Sequence, residues 1–267
     1  MKDKNIMSRL FVILVIVYLL IPLVATFIYS VFDKWTGILP QQFTLRHYVD
    51  LLSDSVFLTS LFRTIIISIV PIIITILLVL MALFVTLVYF PKFEKTLQFL
   101  CMIPYMIQGV ILSVSIISLY AAAPGVFGNR IFLLIGAYCI IILPHIYQGI
   151  KNSMSAINMN MLLEATEMLG ASKLHGFFKV IIPNILSGIT ISALLSVGII
   201  FGDYVLIRNI AGTSFQNVQV YLFLTMKSSS TKASAIFVVI MLTTFIISYI
   251  GLNLEKRAKN VAPKHKN

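Results

Sequence analysis

A chain of 267 residues in which 59% of the side chains are hydrophobic and only 11% charged, with a mean hydropathy of +1.01, lies outside the range of water-soluble domains and reads as a membrane protein. Its net charge of +11 does not point to nucleic acid, because no basic groove with interleaved aromatics occurs and the basic tail at 256–266 directly follows an apolar segment. The two cysteines, Cys101 and Cys139, both fall inside apolar segments, so they read as packing residues rather than a disulfide framework or a metal cluster.

Six apolar segments, near 10–32, 63–90, 97–121, 131–150, 185–207 and 235–254, are each long enough to cross roughly 30 Å of hydrocarbon, which takes about 20 helical residues. Strand-period alternation is absent and several runs are nearly continuous in Ile, Leu and Val. The expected fold is therefore an all-α, polytopic membrane protein and not a β-barrel. The first segment follows Lys2, Lys4 and Arg9, yet it is longer than a signal core and no small-residue cleavage site follows, so it reads as a permanent anchor. Between the first two spans, 33–61 holds Trp35, Gly37, Pro40 and an amphipathic stretch at 45–52, which predicts a short interfacial helix. Pro71, Pro104, Pro124 and Pro144 mark kinks or helix ends. His47, His145, His175 and His265 are scattered, without ligand spacing. A polar connection at 208–234 precedes the last span. No repeat or low-complexity linker divides the chain, so 1–267 reads as one domain.

Laying the loops alternately on two sides with the N-terminus inside puts thirteen Lys and Arg on one side and seven on the other. The bias places both termini of the multi-pass chain in the cytoplasm. The positive charge is then a topology signal and an attraction to anionic lipid.

The cytoplasmic stretch 151–183 is the least span-like part. In its first half Asn160, Glu164 and Glu167 fall at i, i+4 and i+7, one narrow polar stripe on an otherwise apolar helix. Gly170 suits the left-handed position past a helix end, and Ser172 is placed to cap the next helix. Leu174, Phe177, Phe178 and Ile181 then repeat on one face until Pro183 stops the helix. Two short helices joined at a glycine corner are predicted over 158–183.

The string Glu164-Ala165-Thr166, then Gly170-Ala171-Ser172, then Phe178 and Ile182-Pro183, resembles the "EAA" loop of permease subunits in binding-protein-dependent ABC importers. The resemblance extends over about 58–254, including Leu143-Pro144 and the element Ile199 to Tyr204. It implies the type I importer permease fold with six transmembrane helices. It also implies that Glu164, Ala165, Thr166, Leu169, Gly170, Ala171, Ser172 and Pro183 couple to a separate ATPase, with Leu162, Ala165, Met168 and Leu169 supplying apolar surface. The implied partners are two ATP-binding subunits, a second permease subunit that is a different chain, and an extracytoplasmic solute-binding protein. ATP and Mg belong to the ATPase, since this chain has no phosphate-binding Gly-x-x-x-x-Gly-Lys-[Ser/Thr] loop, and it carries no catalysis of its own. Two positions depart from the family pattern: Thr166, where Ala is usual, and Arg63, where Asn is common.

Asp203 is the one acidic residue within a predicted span, which makes it a candidate for the solute pathway with Phe201, Tyr204, Tyr105 and Gln108. The alternative is that Asp203 caps a helix break near Gly202 or pairs with Arg208. The Phe-Gly-Asp-Tyr-Val-Leu stretch and its continuation through 211–235 look most like spermidine and putrescine permeases, with phosphonate, ferric iron and thiamine relatives sharing much of the pattern. An ion-coupled carrier would show more ionisable residues across its spans. An intramembrane enzyme would show a metalloprotease or serine-hydrolase motif, and none is present.

Overall fold

The computed structural model describes residues 2–34, 41–107, 109–120, 122–212 and 215–261. Its chain falls into two compact units, Met1–Ser60 with Val220–Thr243 and Leu61–Gln219 with Thr244–Asn267. Among the described residues four helices are long and apolar enough to cross a membrane, or six if each of two bent helix pairs counts as one span. Helices are the expected solution, because only an intrasegment ladder pairs every backbone N–H and C=O where water is absent.

The first unit contains α1 (Lys2–Ser30), a short ribbon, α2 (Arg46–Ser53), the start of α3 (Ser55–Tyr89), α11 (Val218–Met226) from Val220 onward, and the first part of α12 (Ser230–Val261). The apolar side chains of α1 from Leu10 to Ile21 are all exposed, a continuous greasy surface of the kind hydrocarbon covers. The predicted interfacial helix at 45–52 is α2. The regular structure among the described residues is helical as expected, apart from one ribbon of β1 (Phe32–Lys34) and β2 (Gln41–Phe43), paired antiparallel with Phe32 opposite Phe43. Three-residue strands carry no detectable alternation, so only the pairing itself reveals them. Asp54 closes the start of α3: its Oδ1 accepts the Val56 N–H at 2.8 Å, and its Oδ2 accepts the Tyr221 hydroxyl at 2.6 Å. The hydroxyl holds the Asp54 carboxyl below its ordinary range, while burial first and this carboxylate second push the Tyr221 phenol up to about 12.

The second unit holds the rest of α3, then α4 (Glu94–Met102), α5 (Gly109–Tyr120) and α6 (Arg130–Ser155). It continues through the short helices α7 (Met159–Met168), α8 (Lys173–Gly176) and α9 (Ile182–Asn184) into α10 (Leu186–Gly202), and it includes the end of α12. The span predicted at 97–121 is two helices. A tight turn at Ile103–Met106, with Pro104 in its first turn, ends α4, and a bend separates it from α5. Pro71 and Pro144, by contrast, lie inside α3 and α6.

Helices α6 and α10 make the most extensive helix contact in the unit. Small residues allow it. A Cβ on Gly149 would lie 2.5 Å from Ser192 Cβ, and one on Gly188 would run into the Ser153 side chain and sit 2.7 Å from the Gly149 carbonyl oxygen. The two backbones therefore touch, as in close-packed membrane helix pairs. Lys151 adds an ion pair from α6 to Glu94 at the start of α4.

Candidate functional site

The elbow between α6 and α10 is built from its caps inward. The Asn158 side chain accepts the Met161 N–H at 3.2 Å and opens α7. At the other end Gly170 has φ of +80°, its N–H donates to the Glu167 carbonyl at 2.8 Å, and the Ala171 N–H donates to the Thr166 carbonyl at 3.1 Å. That pair of bonds is a Schellman closure, which requires the left-handed residue that glycine supplies without strain. Ser172 then accepts the His175 N–H at 3.3 Å and starts α8, while Lys173 reaches back to Glu167 at 3.6 Å.

Thr166 is buried against α8. Its hydroxyl donates to the Leu162 carbonyl at 2.7 Å, and a Cβ on Gly176 would come within 2.9 Å of its methyl. Thr166 and Gly176 are thus a matched pair. Phe177 is buried and its ring lies 4.9 Å from that of Phe84 on α3, which with Leu163 and Ile181 anchors the elbow to the helix bundle. The other apolar side chains point away: Met168 is 89% and Leu169 88% exposed, Ala165 and Glu164 are exposed beside them, and Leu162 is half-buried.

Two expectations are corrected here. Pro183 does not stop the helix. The chain widens into a π-type turn at Phe177–Ile181, with the Ile182 N–H reaching back to the Phe177 carbonyl, and Pro183 falls in the first turn of α9, where a missing N–H costs little. The stop comes at Ile185, where the run Lys173–Asn184 and α10 diverge by 66°. The wide turn also breaks the predicted apolar face: Phe177 and Ile181 are buried, but Leu174 and Phe178 are each 51% exposed.

Asp203 lies just past the end of α10, with extended backbone at φ −83°, ψ 120°. Its Oδ2 accepts the Leu206 N–H at 3.1 Å, so it caps the next helical stretch, and the same oxygen accepts the Tyr138 hydroxyl at 2.9 Å. Asn217 Nδ2 donates to its carbonyl at 3.5 Å. The capping alternative for Asp203 is what the structure adopts, and Tyr138, fully buried on α6, is the partner that sequence reasoning missed. Of the other proposed pathway residues, Phe201 is buried as packing and Tyr204 is half-buried. Tyr105 is exposed, in edge-to-face contact with His145 at 5.0 Å, and Gln108 lies outside the described residues. Arg63 stands 5.3 Å over the Phe215 ring, a cation–π contact.

No family model matches the chain. Its sequence is 22% identical over 253 residues, covering 94% of both chains, to a Salmonella typhimurium protein named as a 2-aminoethylphosphonate transport system permease protein, PhnV. The Salmonella typhi protein of that name is 22% identical over 250 residues, 93% of each chain. Among solved structures, a chain of a bacterial alginate ABC transporter, crystallised with a periplasmic protein that holds an alginate pentasaccharide, superposes with a TM-score of 0.74 at 15% identity over 96% of both chains. A second crystal structure of a bacterial ABC transporter for alginate import gives 0.73 at 15% identity over 98% of both. This is the fold of an ABC transporter chain.

Proposed function

We propose that the protein is the membrane-spanning permease subunit of an ATP-driven importer, a single permease domain over 1–267 that supplies half of a solute pathway. The observation that carries this reading is the elbow: a rigid, doubly capped helical corner whose largest apolar side chains, Met168 and Leu169, face outward beside Glu164. Exposed apolar residues on a structured corner form a socket-shaped complement for another protein. On this reading two ATPase subunits on the cytoplasmic side grip the elbow and hold ATP and Mg, and both termini share that side. The second permease is a different chain, and an extracytoplasmic binding protein delivers the solute. Movement of the elbow is passed on through α9 and the tightly meshed α6–α10 pair to the Asp203 break.

The solute is a small amine-bearing compound. One form of it is a polyamine, as the resemblance of 201–206 to spermidine and putrescine permeases suggests; the other is 2-aminoethylphosphonate, the compound in PhnV's name. Asp203 adds little to the polyamine side, since its carboxylate is engaged by Tyr138 and Leu206.

The test of the coupling site is uptake by cells carrying Glu164→Lys or Gly170→Asp. Both variants are expected to insert at normal levels and to lose uptake, the first by reversing charge on the gripped face and the second by straining the residue at φ +80°. Normal uptake in both would remove the elbow from the mechanism.

A further inference from the structure

Near the start of α6 lies a cavity of about 90 Å³ lined by Arg130, Asn209 and Tyr120, with Ile117, Leu133 and Ile210 as its apolar wall. Its lining offers the Arg130 guanidinium, the Asn209 amide N–H and the Tyr120 O–H as donors, and Arg130 and Asn209 both reach the surface. Among the described residues no carboxylate lies within 4.0 Å of the Arg130 guanidinium. Gly212, at φ +67°, makes room for that guanidinium: a Cβ there would sit 3.1 Å from an Arg130 terminal nitrogen. Asn209 is held in place, because its Nδ2 donates to Ser113 Oγ at 2.8 Å and the buried Ser113 hydroxyl donates in turn to the Val110 carbonyl at 2.8 Å. One amide hydrogen is used in that bond, and among the described residues no acceptor takes the other. Tyr120 is held by stacking on Phe127 at 5.9 Å and 22°.

A guanidinium, an amide N–H and a phenol O–H around a small space complement a group that only accepts hydrogen bonds. The volume equals about three waters at roughly 30 Å³ each, enough for a tetrahedral oxyanion. A polyamine offers only donors and positive charge, and would meet Arg130 as a repulsion. We infer that this cavity is an anion subsite for the phosphonate head group of the solute, with Arg130 as its bidentate partner. The inference rests on the importer reading and narrows its solute to the phosphonate class. A lipid phosphate offers the same chemistry from the bilayer; the assignment is to the soluble solute.

The experiment uses the complete transporter reconstituted in phosphatidylcholine vesicles, with 2-aminoethylphosphonate and putrescine as transported probes and methylphosphonate as a binding probe. Arg130→Gln is expected to raise KM for 2-aminoethylphosphonate by about tenfold or more, and Arg130→Lys to recover most of it. Methylphosphonate is expected to raise the unfolding temperature of the wild type and of Arg130→Lys but not of Arg130→Gln. An unchanged KM in Arg130→Gln overturns the subsite, and so does putrescine import by the wild type that Arg130→Gln leaves intact. Stabilisation that follows added phosphatidylglycerol and ignores methylphosphonate assigns the cavity to lipid and overturns it as well. A wild type that imports neither solute when joined to its ATPase refutes the importer reading instead; the subsite is then decided by the methylphosphonate stabilisation alone. If Arg130→Gln fails to insert, Asn209→Ala, which removes the held amide, is expected to weaken methylphosphonate stabilisation in the same direction, and no change there overturns the subsite.

Discussion

The elbow at α7–α8 and the α6–α10 seam both depend on glycine and small residues, yet they use them for opposite purposes. In the elbow, Gly170 supplies a backbone conformation, and nothing lies within 4 Å of where its Cβ would be. The large side chains Met168 and Leu169 are left bare on the outside. In the seam, Gly149 and Gly188 have ordinary helical backbone and supply space: Ser192 and Ser153 occupy the volume that their side chains would fill. One region therefore fixes its own backbone and leaves apolar side chains exposed, while the other packs within the chain. Under the proposed function that is the division of labour between a handle and a lever.

The largest expected effect is at the seam. Gly188→Leu must push apart two backbones that already touch, at a cost of about 2–3 kcal/mol from overpacking alone, and should lower the thermal midpoint of the purified protein and its membrane yield together. Gly170→Leu, the matching change at the elbow, meets no neighbour and costs only the strain of a positive φ, about 1 kcal/mol. Equal midpoints for the two variants would break the comparison.

A smaller effect is expected at the end of the seam. Asp203→Ala removes a cap and leaves the Tyr138 hydroxyl, fully buried, without its acceptor, for a loss of about 2 kcal/mol. Adding Tyr138→Phe removes the orphaned hydroxyl and should restore part of that loss. If the two changes instead add as independent sites do, Tyr138 and Asp203 are not coupled across α6 and α10.

The two regions also differ in how far they can be read from sequence. The elbow is local: Asn158, Gly170 and Ser172 are caps whose partners lie within five residues, so spacing alone places both helices and the corner between them. The partnership of Tyr138 with Asp203 spans 65 positions, and that of Gly149 with Ser192 depends on how two spans cross; no period reports either. Hydropathy marks the apolar segments but not the turn around Pro104, which is as apolar as the helices it divides, whereas the break after Gly202 is signalled by Asp203 alone. Pro183 shows the same limit in reverse. A proline signals a stop only when the turn before it is α-helical, and here a π-type turn lets the helix run through it.

The smallest expected effect on stability is the most informative about function. Leu169 is 88% exposed and sits beyond the last buried residue of α7, so Leu169→Asp removes no contact within the chain and should leave the thermal midpoint within about 0.5 kcal/mol of the wild type. If a partner covers Leu169, however, burying that side chain contributes about 1.5–3 kcal/mol to the docked state, and a carboxylate in its place must be desolvated as well. Uptake should then fall by about tenfold or more, while Thr166→Leu, which collides with Gly176, should lose midpoint and uptake together. Stability lost at Leu169 in the same measure as at Gly188 would mean that the corner packs on its own bundle, leaving no bare apolar surface for an ATPase to hold.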